Sequence, residues 1–108
     1  MSYGLRNAFY SSVQLPLDSR KMSEKPMNRD WVLFHLTEAQ EELTRTIQEI
    51  RDTPDYGIGE FLPAMQHLYH HLNTAWNARD ASEAEAGKVT EQNFRRWSAF
   101  PADLVMFE

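Results

Sequence analysis

The residues best equipped for chemistry are three histidines in one short stretch, His67, His70 and His71. On a helix, side chains at i and i+4 stand one turn apart on the same face, so His67 and His71 pair and His70 falls at their flank. Two neutral imidazoles at that spacing reach a single transition-metal ion at about 2.0 to 2.1 Å. Such an ion needs a third donor and usually a fourth. His35, Glu38 and Glu42 are the candidates elsewhere in the chain. Without a metal, the cluster reads as a polar helix face, or as histidines that pair with acidic groups across an interface. It is also a candidate pH sensor, because ordinary imidazole changes charge near pH ~6.5. The expected cofactor is none, and a transition metal such as zinc on His67, His71, His35 and His70 is the alternative.

Other reactive constellations are missing. The chain holds no H-E-x-x-H and no E-x-x-H, which removes the zincin and di-iron bundle readings. It has no G-x-S-x-G elbow and no phosphate-binding loop. Gly57-Ile58-Gly59 lacks the third glycine and the preceding strand of a dinucleotide fingerprint. With no cysteine there is no disulfide framework, no thiolate zinc site and no thiol nucleophile. An enzyme is not expected.

Those histidines must be positioned by a small body. A chain of 108 residues, 42% hydrophobic and 25% charged, with six Phe, four Tyr and three Trp, fits one globular domain rather than a disordered tail or a two-domain enzyme. The net charge of −5 is concentrated between residues 31 and 60. An acidic surface repels phosphate backbones and anionic lipid, so nucleic acid and membrane are not the expected partners. Arg95-Arg96-Trp97 sits beside Glu91 and reads as a solvated helix face next to one core tryptophan. No stretch approaches the ~20 apolar residues of a membrane span, and Met1 to Tyr10 lack the basic and apolar regions of a leader. The expected location is the cytoplasm.

Residues 1–27 show no sustained helical period and are interrupted by Gly4, Pro16, Pro26 and several serines, so they read as an extended arm. Within it, Phe9, Tyr10, Val13, Leu15 and Leu17 are apolar enough to lie on the body or on a partner chain. Residues 28–108 read as a single helical domain. From Trp31 to Arg51, following Asp30, the residues Val32, Leu36, Ala39, Leu43, Ile47 and Ile50 recur at helical spacing and predict one amphipathic helix. A strand over Trp31 to Leu36 is the rival reading. Pro54, Gly57 and Gly59 reverse the chain. A second helix then runs to Ala78 with Phe61, Leu62, Met65, Leu68, Tyr69, Leu72 and Trp76 on its core face, and Pro63 placed in its first turn. The histidines fall on the opposite face. Ser82 and Glu85 form a capping box that opens a third helix, expected to continue to about Trp97 before Pro101, with a short apolar tail after it.

The fold class is therefore all-α: an antiparallel helical hairpin, a shorter third helix and an arm. Two helices enclose a thin core, and a chain of this size buries only about 60 to 68% of its unfolded surface. Pairing of two hairpins into a four-helix-bundle-like homodimer is the expected remedy, and an interaction or scaffold role follows from it.

Overall fold

The computed structural model describes residues 25–107. Of the arm expected over residues 1–27, the first 24 residues lie outside them. Helix α1 spans Arg29–Asp52 and α2 spans Ile58–Asn77, joined by a short turn through Pro54. They are followed by a single-turn helix α3, Glu83–Gly87, and by α4, Glu91–Ser98. The described residues contain no strand, so the all-α expectation holds and the strand alternative at Trp31 falls.

Helix α1 begins two residues earlier than the apolar period indicates. Its cap is Asn28, whose side chain accepts from Trp31 N at 3.1 Å. The same amide donates to the Ala81 carbonyl at 2.8 Å, and the Asn28 backbone N–H donates to the Arg79 carbonyl at 2.7 Å. One residue thus satisfies an orphan helix donor and ties the start of α1 to the chain beyond α2. At the turn, Gly57 N donates to the Glu60 carboxylate at 3.0 Å as α2 opens. Pro63 stands at the sixth position of α2, past the first turn where the sequence reading put it, and removes the helical bond to the Gly59 carbonyl.

The third helix is not continuous. Ser82 and Glu85 make the predicted box, at 3.1 and 2.9 Å, but α3 closes at Gly87. Glycine is a poor helix former, and Thr90 then offers a second start by accepting from Asn93 N at 3.1 Å. The break lets α4 turn back onto α2. Asn73 donates to the Ser98 carbonyl at 3.0 Å, and Asn77 donates to the carbonyls of Trp97 and Ala99 at 2.8 and 2.7 Å. Two α2 asparagines therefore satisfy the carbonyls that the end of α4 leaves open.

The packing of the hairpin departs from the expected one. The side chains buried between α1 and α2 are His35, Ala39, Glu42 and Thr46 from one helix and His71, Thr74 and Ala75 from the other. The apolar stripe expected to form the core is largely outside: Leu36, Leu43, Ile47 and Ile50 are each more than 40% exposed, as are Leu62 and Tyr69. The physical reason lies in side-chain size. Small Ala39, Ala75 and Ala78 let the helices approach along the polar seam, where the imidazoles and one carboxylate satisfy each other. At about 100° per residue, the α1 stripe lies roughly 80° round from the seam and the α2 stripe roughly 110°. Because the helices are antiparallel, those two turns carry both stripes to the same side of the hairpin. The opposite side is covered by α4, where Ala78, Ala81 and Trp97 form the buried apolar cluster with Trp31 packed against it.

Candidate metal centre

All four histidines meet in the seam, together with one carboxylate. His35 Nδ1 faces His71 Nδ1 at 2.9 Å, His71 Nε2 faces His67 Nε2 at 3.1 Å, and His67 Nδ1 faces Glu42 Oε1 at 2.6 Å. Glu42 is further held by the Thr46 hydroxyl, which donates to Oε2 at 2.7 Å, and by Arg45 at 3.3 Å. The sequence reading had the levels of His35 and His67 to His71 near without matching. Across the short turn, Glu42 stands opposite His67, and the reach of the imidazoles closes the remaining offset between His35 and His71.

The cluster is walled by aromatic rings. Trp31 presents to His35 edge-on with centroids 4.4 Å apart, and His70 lies 4.9 Å from Phe94 of α4. Burial therefore disfavours charge here. It pushes His35 down to about 4, with the neighbouring His71 and His70 acting in the same direction. His71 also falls to about 4, from burial first and then His70 and His67, with Glu42 opposing. Burial lowers His70 as well, aided by His67. For Glu42, burial works to raise the carboxyl, but hydrogen bonds from His67 and Thr46 and the charges of Arg45 and His67 outweigh it and hold it below its usual range.

Neutral imidazoles with free lone pairs are metal ligands. One ring nitrogen from each of His35, His70 and His71 lies within 4.8 Å of the other two. His35 Nε2 and His70 Nδ1 are buried and have no hydrogen-bond partner among the described residues. His67 belongs to the chain of contacts but lies at its outer end, its side chain 45% exposed and paired with Glu42. Beside His70, an open groove of ≈ 370 Å³ runs between α2 and α4, bounded by Met65, Tyr69, Phe94 and Phe100.

The sequence reading found the four histidines and offered Glu42 as an alternative donor, but missed the aromatic wall and Thr46. A signal was there. His35, Ala39, Glu42 and Thr46 recur at spacings of 4, 3 and 4, which is the period of a helix seam, beside the stronger apolar stripe that drew the core assignment. Comparison with family models, with curated proteins and with solved structures finds no match to this chain.

Proposed function

We propose that the chain is a small helical metal-binding protein that holds a divalent transition ion of the zinc class on His35, His70 and His71. The observation that carries this reading is the convergence of three neutral ring nitrogens within 4.8 Å, two of the three histidines having a buried nitrogen without a partner. An unpartnered buried polar atom costs free energy, and a bound ion supplies the missing partner. Three protein donors leave a position for water or a small ligand, unlike a closed four-ligand structural site. The test is elemental analysis of untagged protein with cobalt(II) titration. Near-stoichiometric metal in the wild type, abolished by His71→Ala and by His35→Ala, supports the reading. Negligible metal, and no cobalt absorption at millimolar ion, overturns it.

A second reading, an interaction or scaffold protein acting as a homodimer, is favoured by the apolar side of the hairpin, which the described residues leave exposed. The occupant we assign is a second copy. Asp30, Glu38, Glu41, Glu49 and Asp52 of α1 all fall on the other side of the seam, so these acidic groups stay away from a meeting of two such faces despite the net charge of −5. A face two helices wide and about 30 Å long offers on the order of 600 Å², close to one partner's share of a standard interface. The two readings are compatible, because the metal cluster lies in the seam and the apolar face lies beside it.

A further inference from the structure

We infer that Glu42 is the positioning residue of this centre: acting through His67, it decides which nitrogen of His71 carries the proton and which is free for an ion. The inference rests on the metal reading above. Its starting point is the one group in the chain of contacts whose hydrogen-bonding role is unambiguous. An ionised carboxylate only accepts, and Glu42 is held in place from three directions, by Thr46, Arg45 and His67.

The consequences then pass along the cluster one ring at a time. His67 Nδ1, 2.6 Å from Glu42 Oε1, must be the N–H. With a single N–H on His67, the neutral form of the ring, its Nε2 is a lone pair, and it faces His71 Nε2 at 3.1 Å. His71 Nε2 must therefore donate. That leaves His71 Nδ1 as a lone pair aimed into the seam, where in the metal-free chain it accepts from His35 Nδ1 at 2.9 Å. The nitrogen that serves as acceptor without metal is the one that serves as ligand with it. This is the carboxylate-histidine support common around metal-binding imidazoles, lengthened here by one ring. The hydrogen bonds of Glu42 go to Thr46, Arg45 and His67, so its hold on the His71 tautomer passes through the His67 ring.

The test compares the full chain with Glu42→Leu, Glu42→Gln and His67→Leu. Leucine fills the seam without a charge, and circular dichroism with thermal melts identifies variants that remain folded. Nitrogen-15 NMR of the metal-free proteins at pH 8 reads the tautomers directly. The expected wild-type result is Nδ1–H on His67 and Nε2–H on His71, with His71 becoming a mixture in Glu42→Leu. Zinc titration should then show unchanged stoichiometry in Glu42→Leu with affinity lower by about 10- to 100-fold. Glu42→Gln keeps an acceptor oxygen and should recover part of the loss. The Glu42→Leu/His67→Leu double variant should be no weaker than the weaker single, since both cut the same chain. Wild-type Nδ1–H on His71, or zinc affinity unaltered in folded Glu42→Leu, overturns the inference while leaving the metal reading intact. Failure of the wild type to bind zinc, with the expected tautomers in place, overturns the metal reading and the ligand role of His71 with it.

Discussion

At the scale of single residues, the cluster stores a pH dependence whose sign follows from burial. In the metal-free protein His35 and His71 take up a proton near pH ~6.5 when unfolded but only at about 4 when folded. Between those values the unfolded chain binds more protons. Stability is therefore fully present above pH ~6.5 and is lost as pH falls towards 4. The carboxyl of Glu42, lowered when folded, adds loss of the same sign below its ordinary value of 4.5. Thermal melts with a chelator present should give a lower midpoint at pH 5 than at pH 7.5, and a midpoint flat across that range would contradict the neutral cluster. A second residue-scale prediction concerns Trp97. It is the one large apolar side chain among the described residues that is buried, in contact with Ala78 and Ala81 and 6.1 Å from the ring of Trp31. Trp97→Ala should cost about 3 to 5 kcal/mol in urea denaturation at pH 7.5, because it removes the one large buried ring on which Ala78, Ala81 and Trp31 pack.

At the scale of elements, the caps are not equivalent. Ser82 begins a five-residue helix with no buried residue, so Ser82→Ala should cost at most about 1 kcal/mol and act locally, as faster amide exchange over α3. Asn28 caps the longest helix and also bonds Ala81 across the fold. Asn28→Ala loses the cap and leaves a carbonyl without its donor, so about 2 kcal/mol of global stability should go with it. Equal effects of the two substitutions on the urea midpoint would show that the long-range bond contributes nothing. The asparagines of α2 play the same connecting part for α4, through carbonyls at its C-terminal end.

At the scale of the whole molecule, the exposed apolar side of α1 and α2 sets the behaviour in solution. Leu36, Leu43, Ile47 and Ile50 form one stripe on α1, and the α2 stripe faces the same way. If a second copy covers them, sedimentation should give twice the 12.7 kDa chain mass at micromolar concentration. Leu43→Glu/Ile47→Glu should then return it to a monomer that still binds zinc, since neither residue touches the histidine seam. A wild-type monomer throughout that range would remove the homodimer.

The sequence by itself determined the two long helices and their reversal, because apolar period, proline, glycine and the capping residues act within a few residues of one another. Helix α2 comes out as read to within one residue of its ends, and the Ser82–Glu85 box forms as written. The four histidines were legible as a candidate site for the same local reason: their types and spacing are chemistry at one helical turn. Only the tertiary structure decided which face of each helix lies inside the hairpin. Periodicity marks an apolar stripe but not its partner, and here close approach over Ala39, Ala75 and Ala78 puts the polar stripe in the seam and leaves the apolar one beside it. That choice converts Glu42 from one of several acidic residues of α1 into the buried anchor of His67, and surrounds His35 and His71 so that they remain neutral. Burial and the meeting of residues far apart in the chain are properties of packed helices, and no local spacing contains them.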